Sequence, residues 1–193
     1  MAFSPDGQTL VSGGDDGNIR MWDGSTGAQK KTLTRDGSVN SIVFSPSGHI
    51  FATGTVAGDI HLWNAETGEY QKTLTGHLGG VSNVAFSRDG NTIVSSGAGN
   101  IRLWDAMTGE HKKTIFGHSD MVRSVAFSPN STILASGNYD STVRLWDTTT
   151  GEHKMTFTGN TWDVQSVAFS PDDSILASGN YDGNIRLWDT TTG

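Results

Sequence analysis

A unit of 41 or 42 residues recurs along the whole of this chain. A Trp followed by Asp or Asn marks each copy, at Trp22, Trp63, Trp104, Trp146 and Trp188. A Phe-Ser pair keeps the same period, at Phe3, Phe44, Phe86, Phe127 and Phe169. Two markers that share one period of this length indicate a repeat architecture, in which each unit buries its apolar face against its neighbours.

Each copy contains four short runs rich in Val, Ile, Thr and Trp. In one copy, between Met121 and Thr158, they are "MVRSVAFS", "TILASGN", "TVRLWD" and "EHKMTFT". Clusters of turn residues such as "PNS", "YDS" and "TTTG" separate them, which predicts strands about ten residues apart and an all-β fold. The "WDTTTG" segments suit a hairpin in which Asp opens the turn and Gly takes the left-handed position.

The copies "GHLGGVSNVAFSRDG" and "GHSDMVRSVAFSPNS", each followed by a Leu-Trp-Asp segment, resemble the WD repeats. The resemblance covers essentially the whole chain. It implies a β-propeller of four-stranded antiparallel blades around a central channel. We expect about five blades in a single propeller or part-propeller domain, the last lacking its outer strand. Their approximate ranges are 1–34, 35–75, 76–116, 117–158 and 159–193.

Composition excludes several classes of function. The 193 residues suffice for one domain with a sizeable core, and the formal net charge is −7. That charge argues against a general nucleic-acid binder and against docking on an anionic membrane. There is no Cys and no apolar run long enough to span a bilayer. We expect a cytoplasmic protein with neither a nucleic-acid nor a membrane partner.

The resemblance also implies a buried polar network in each blade, formed by Trp, Ser or Thr, His and Asp. One blade has the full set, and the other four have part of it. The full set is His118, Ser136, Asp140 and Trp146; the blade before it has His77, Ser95 and Trp104, with Ala98 in the Asp place; the last has Asn160 in the His place, with Ser178, Asp182 and Trp188.

A catalytic Ser-His-Asp triad is the alternative interpretation of these residues. A triad needs one exposed nucleophile beside its base and an oxyanion hole. Here the same residue types recur in several copies with a Trp in register, which favours a structural device. No His and carboxylate set has a metal-binding spacing. We therefore expect no enzyme activity, no metal and no cofactor.

Partners of the WD family usually meet the face where the loops between blades and the turns between the second and third strands gather. In blades 2 and 3 the matching positions hold mostly small residues. In blades 4 and 5 they offer larger ones, and these are the candidate binding residues: Met121, Arg123, Tyr139, Trp162, Asp163, Gln165 and Tyr181. Exposed Trp, Tyr, Arg and Met are enriched at interfaces. The alternative is that Trp162 folds over its own blade and that the Tyr pair merely repeats the consensus.

All six Lys fall on predicted fourth strands: Lys30, Lys31, Lys72, Lys112, Lys113 and Lys154. Lys on an edge strand obstructs strand addition by other molecules. We interpret these residues as a solvated rim.

The ends of the sequence carry a further expectation. Met1 stands in the place of a first-strand Val, and Gly193 matches Gly151. We expect the strand around residues 184–189 to form a bare edge and the chain to self-associate. A homodimer joined head to tail is favoured over a strained five-blade monomer. The expected function is a non-catalytic scaffold for a protein or peptide. The alternatives are a regulatory or sensor fragment of a larger multidomain protein, or a lectin-like binder of small ligands.

Overall fold

A computed structural model of the chain describes residues 1–35 and 37–193. Nineteen strands form five antiparallel sheets. We call the sheets blades 1 to 5 in chain order. Blade 1 contains β1 (Ala2–Phe3), β2 (Thr9–Gly13), β3 (Asn18–Asp23) and β4 (Gln29–Thr34); blade 2 contains β5 (Val39–Phe44), β6 (Ile50–Thr55), β7 (Ile60–Asn64) and β8 (Tyr70–Leu74). Blade 3 contains β9 (Asn83–Phe86), β10 (Thr92–Ser96), β11 (Asn100–Asp105) and β12 (His111–Phe116); blade 4 contains β13 (Val122–Phe127), β14 (Ile133–Asn138), β15 (Val143–Asp147) and β16 (His153–Phe157). Blade 5 contains β17 (Val164–Phe169), β18 (Ile175–Asn180) and β19 (Ile185–Asp189).

Every blade is a simple meander in which strands adjacent in sequence pair with each other. Blades 1 to 4 have four strands and blade 5 has three, so that β19 lies at a sheet edge. The described residues contain no helix. The predictions of an all-β fold, of four-stranded antiparallel blades and of a last blade without its outer strand are confirmed.

The turns between third and fourth strands form because the residue after each Trp caps them. Asp147 Oδ1 accepts hydrogen bonds from the backbone N–H groups of Thr149 and Thr150, both at 2.9 Å. Gly151 then adopts a φ of 76°, in the left-handed region that favours glycine. The residue pattern Trp-Asp-x-x-Thr-Gly thus favours a tight hairpin through contacts among adjacent residues.

The core lies between successive blades. Val143 and Leu145 on the third strand of blade 4 pack against Val164, Val167 and Leu176 of blade 5. Corresponding clusters join blades 1 and 2, blades 2 and 3, and blades 3 and 4. Each third strand is therefore buried by the blade that follows it.

The outer faces of the first and last blades have no such cover among the described residues. Ile185 and Leu187 of β19 are 74% and 69% exposed, whereas the corresponding Val143 and Leu145 are buried. At the other end, Met1 and Phe3 are exposed. The extensive contacts between sheets join successive blades only. Among the described residues, the first and last blades thus share no extensive contact.

Candidate functional site

Blade 4 contains a continuous chain of buried hydrogen bonds. Trp146 Nε1 donates to Ser136 Oγ at 2.7 Å. Ser136 Oγ lies 2.7 Å from His118 Nε2, and His118 Nδ1 lies 3.0 Å from Asp140 Oδ2. Since an indole N–H only donates and a carboxylate only accepts, a neutral imidazole with its proton on Nδ1 satisfies every member.

The electrostatics of blade 4 agree with a neutral His118. Burial lowers the pKa of this imidazole, and Asp140 opposes that effect without overcoming it. Burial raises the pKa of the Asp140 carboxyl, but hydrogen bonds from Thr142 and His118 outweigh burial and leave the pKa below its usual value. Asp140 is therefore ionised at neutral pH and accepts the imidazole proton as a hydrogen bond.

The arrangement does not present a reachable nucleophile. The side chain of Ser136 is fully buried, and its hydroxyl is held between Trp146 and His118. A catalytic serine must meet a substrate carbonyl beside an oxyanion hole. The set of Ser136, His118 and Asp140 thus acts as a brace that joins the second strand, the third strand and the loop that leads into the blade.

Blade 3 has a shorter version of the brace. Trp104 Nε1 donates to Ser95 Oγ at 2.8 Å, and Ser95 Oγ lies 2.7 Å from His77 Nε2. Within the described residues, His77 Nδ1 has no hydrogen-bond partner. Burial lowers the pKa of His77 to about 4, the charge of Arg102 adds to the shift, and nearby Asn100 opposes it. No hydrogen bond joins His77 and Asn100, so the imidazole is neutral and its second nitrogen is unsatisfied.

Blade 5 divides the expected set into two parts. Trp188 Nε1 donates to Ser178 Oγ at 3.0 Å, and Ser178 makes a long 3.4 Å bond to Asn160 Oδ1. Asp182 does not reach Asn160. Its carboxylate instead bonds Thr161 Oγ1 at 2.8 Å and pairs with Arg186 at 3.2 Å. The short amide of Asn160 ends the network before the carboxylate.

The first two blades keep only the bond between Trp and hydroxyl. Its length is 2.8 Å from Trp22 to Ser12 and 3.0 Å from Trp63 to Thr53.

An aromatic cluster on the outer part of blade 2 was not anticipated from the sequence. The Arg35 guanidinium lies 3.7 Å from the Tyr70 ring centroid, and the ring of Tyr70 meets the edge of Trp63. His61 lies close by and bonds Thr73 Oγ1 at 2.8 Å. The sequence signal was the difference between this blade and the other blades. Tyr70 stands where they have Gln or His, and His61 stands where they have Arg.

The candidate binding residues lie in the loops that precede blades 4 and 5 and in the turns after β14 and β18. Trp162 and Tyr181 are 56% and 71% exposed, and their ring centroids are 6.3 Å apart. The Tyr181 N–H donates to the Asp163 carbonyl at 2.9 Å, which ties the turn to the loop. The structure therefore brings Trp162, Asp163 and Tyr181 together.

Blade 4 repeats this arrangement with different side chains. The Tyr139 N–H donates to the Met121 carbonyl at 3.2 Å. Arg123 is exposed, whereas the side chains of Met121, Tyr139 and Gln165 are half-buried.

Leu78, in the loop before blade 3, is almost fully exposed and was not among the residues singled out. Its loop position, directly after His77, was the signal that could have found it.

The part of the chain that the structure describes contains no group of three or more His, Cys, Asp or Glu residues arranged to hold a metal ion. None of the residues from 1 to 35 or from 37 to 193 belongs to a helix long and apolar enough to cross a membrane.

Comparison with known families accounts for all five blades. The family model described as "WD domain, G-beta repeat" matches residues 1–23, 27–64, 68–105, 109–147 and 151–189. The chain belongs to the WD40 family. WD40 repeats mediate protein interactions, and proteins built from them are generally non-catalytic scaffolds.

Two curated proteins are similar to part of this WD40 chain. They are the ribosome biogenesis proteins bop1-A and bop1-B of Xenopus laevis, each 48% identical over 42 residues. The match covers 22% of this chain and 6% of each relative. It therefore spans about one repeat of a much longer protein.

Proposed function

We propose that this chain is a non-catalytic scaffold that binds a protein or peptide through the loops of blades 4 and 5. The observation that carries the proposal is the exposed pair Trp162 and Tyr181. Large aromatic side chains that remain exposed while held by a tied loop lose little conformational entropy on binding, and they carry much of the energy at interfaces.

The surroundings of the pair support a peptide with both apolar and charged groups. Arg123 is exposed on blade 4, and Asp163 lies beside Trp162 on blade 5. Charges of both signs among the candidate residues favour one orientation of a bound segment. Trp162 contacts Tyr181 of its own blade, and both rings keep more than half of their surface exposed, which supports a role in binding.

The test uses peptides selected from a displayed random library on the immobilised wild-type chain. Trp162→Ala and Tyr181→Ala should each weaken binding of the selected peptides by about tenfold or more. Ser38→Ala and Ser82→Ala, at matching positions of blades 2 and 3, should leave binding unchanged. Thermal unfolding should be the same for all four variants, since the two aromatic side chains are exposed. Full binding to both aromatic variants would contradict the assignment.

Self-association is a second proposed property, and the exposed outer faces support it. Ile185 and Leu187 present the same apolar surface that Val143 and Leu145 bury against the next blade. Phe3 belongs to the opposite face, which in blades 2 to 5 packs on the preceding blade. Because these two faces are the halves of one interface, two copies would join head to tail. Light scattering after gel filtration should give twice the chain mass of 20.5 kDa; a stable monomer at micromolar concentration would contradict this.

The other functions are less well supported. A lectin-like protein would repeat one pocket in each blade, whereas the loops of blades 2 and 3 differ from those of blades 4 and 5. A regulatory module within a larger protein agrees with the small share of the Xenopus relatives that is matched. That match is one repeat long, so it supports the repeat and does not extend ribosome biogenesis to this chain.

A further inference from the structure

The turn between the second and third strands has the same backbone form in blades 1, 3 and 5. Each turn leads into the third strand with the sequence Gly-Asn-Ile-Arg, and the φ angles of its glycine are 72°, 70° and 81°, at Gly17, Gly99 and Gly183. The residue before this glycine is Asp16 in blade 1 and Asp182 in blade 5, but Ala98 in blade 3. Ala98 therefore stands where the other two turns carry a carboxylate.

That carboxylate pairs with the arginine of the third strand. The distance from guanidinium nitrogen to carboxylate oxygen is 2.6 Å for Arg20 and Asp16, 3.8 Å for Arg144 and Asp140, and 3.2 Å for Arg186 and Asp182. Arg102 of blade 3 is half-buried and forms no ion pair among the described residues. Blade 3 thus has a partly accessible cation without the counter-ion that its copies have.

His77 lies beside the same cation. Both groups flank one indole, since the ring centroid of His77 is 6.4 Å and the guanidinium carbon of Arg102 is 5.7 Å from the ring of Trp104. In blade 4 a single carboxylate, that of Asp140, lies against both the imidazole and the arginine. His77 and Arg102 are therefore the two groups that a carboxylate would meet at this place in blade 3.

An exposed ring flanks these groups. Phe116 is 73% exposed and pairs with Asn100, which lies two residues before Arg102 on the same face of the strand. Blade 1 has Thr34 in this place, and its hydroxyl donates to Asn18 Oδ1 at 3.1 Å. A phenyl ring has no such donor, and Asn100 Oδ1 is buried without a partner in the part of the chain that the structure describes. Blade 3 thus presents a ring, an amide acceptor and a cation in a row.

We propose that blade 3 binds an acidic peptide segment, with its carboxylate on Arg102 beside His77 and an adjacent apolar side chain against Phe116. A guanidinium binds a carboxylate through two parallel hydrogen bonds. A peptide also supplies the N–H donors that Asn100 Oδ1 lacks. The carboxylate comes from an acidic side chain or from a C-terminus. This site is separate from the loop surface around Trp162 and does not depend on it.

The probes are three dipeptides, which are added to the isotope-labelled chain and followed by NMR. N-acetyl-Phe-Asp-amide has a side-chain carboxylate, N-acetyl-Phe-Gly has a C-terminal carboxylate, and N-acetyl-Phe-Asn-amide has neither. A carboxylate dipeptide should shift the amide signals of Gly99 and Arg102 and the imidazole signals of His77. It should bind about three- to tenfold more tightly than the Asn dipeptide, as expected for a charge-assisted hydrogen bond at a half-buried arginine. The tighter of the two carboxylate dipeptides identifies the source of the carboxylate.

Ala98→Asp supplies the carboxylate from within the chain. It restores the local sequence of blades 1 and 5, in which Asp pairs with the Arg four residues later, and should abolish the preference for a carboxylate dipeptide. The matched control is Ala57→Asp, which adds the same charge to the turn of blade 2, where His61 stands in the place of the Arg; it should leave the preference intact. Arg102→Gln should also remove the preference, whereas Arg20→Gln should keep it.

Phe116→Thr tests the apolar part of the site. It introduces the residue that the other four-stranded blades have, at Thr34, Thr75 and Thr158. The variant should weaken all three dipeptides by a similar factor, and its stability should be unchanged because the ring is exposed. Trp162→Ala should bind the dipeptides as the wild-type chain does, so that failure of this site is distinguishable from failure of the loop surface.

Two results would overturn the proposal. One is no saturable shift at Gly99 and Arg102 up to about ten millimolar of either carboxylate dipeptide, an affinity too weak to be specific. The other is a carboxylate preference that survives in Ala98→Asp or Arg102→Gln, or that disappears equally in Ala57→Asp or Arg20→Gln, because either result would place the contact outside blade 3.

Discussion

The buried histidines show how one neighbouring residue changes the chemistry of an equivalent position. His118 and His77 each hydrogen-bond a serine hydroxyl through Nε2. His118 donates its Nδ1–H to Asp140, whereas His77 Nδ1 has no hydrogen-bond partner among the described residues. Protonating His77 would therefore bury a charge with no counter-ion beside it.

We expect His77 to make the stability of the chain depend on pH. Its folded pKa of about 4 lies below the unfolded value of 6.5. Its contribution is fully present above pH 6.5 and declines as the pH falls from 6.5 towards 4, because only the unfolded chain takes up the proton in that range. The total loss should be about 3 kcal/mol.

The measurement is urea unfolding between pH 4 and 7.5, compared with His77→Asn, which copies the Asn160 of blade 5. The variant should lose about one proton from the uptake that accompanies unfolding. Equal pH dependence in the two chains would contradict this, because it would mean that His77 has the same pKa in the folded and unfolded states.

At the scale of the element, the lysines of the fourth strands do more than solvate a rim. Lys31 Nζ donates to the Thr67 carbonyl at 2.6 Å, Lys72 Nζ to the Thr108 carbonyl at 2.7 Å, and Lys113 Nζ to the Thr149 carbonyl at 2.6 Å. Each bond reaches from one blade to the hairpin of the next. At the junction of blades 4 and 5 the corresponding residue is Met155, which packs against the apolar core instead.

We expect Lys113→Met to loosen the hairpin of blade 4 by about 0.5–1 kcal/mol, the usual contribution of such a hydrogen bond. Hydrogen exchange should show faster exchange in residues 147–153. Lys112→Met is the control, because Lys112 pairs with Asp105 of its own blade. Unchanged exchange in blade 4 of the Lys113 variant would mean that the bond to Thr149 contributes no stability.

At the scale of the whole molecule, residues at equivalent places in different blades differ in exposure because only some blades are followed by another blade. Ile185 and Val143 occupy the same place on their third strands, but one is exposed and the other is fully buried. A substitution to Asp at these two places therefore separates assembly from folding.

Ile185→Asp should abolish self-association. It should leave the free energy of unfolding of the isolated chain within about 0.5 kcal/mol of the wild type, as for other exposed positions. Val143→Asp should cost more than about 3 kcal/mol, since it buries an unpaired charge. Light scattering and urea unfolding give the two readouts. An Ile185→Asp chain with the same mass as a self-associated wild-type chain would rule out this face as the interface.

The sequence by itself determined the blade, because almost everything that shapes a blade is local. Strand pairing joins neighbours along the chain, the Asp after each Trp caps its own turn, and the Ser ten residues before Trp146 receives the indole bond within the same sheet. Such features repeat with the period of the sequence, so the missing acceptor for His77 was predictable from Ala98 alone.

Only the tertiary structure decided which long side-chain contacts form and which residues are buried. Asp182 turned away from Asn160 to Thr161 and Arg186, Lys113 reached the next hairpin while Lys112 stayed in its own blade, and Trp162 remained exposed against Tyr181. The third strands of blades 4 and 5 also have nearly identical sequences, but Val143 and Leu145 are buried whereas Ile185 and Leu187 are exposed. The physical reason is that burial and long side-chain contacts depend on which neighbour is present in space, and a repeated sequence is the same whether or not that neighbour is there.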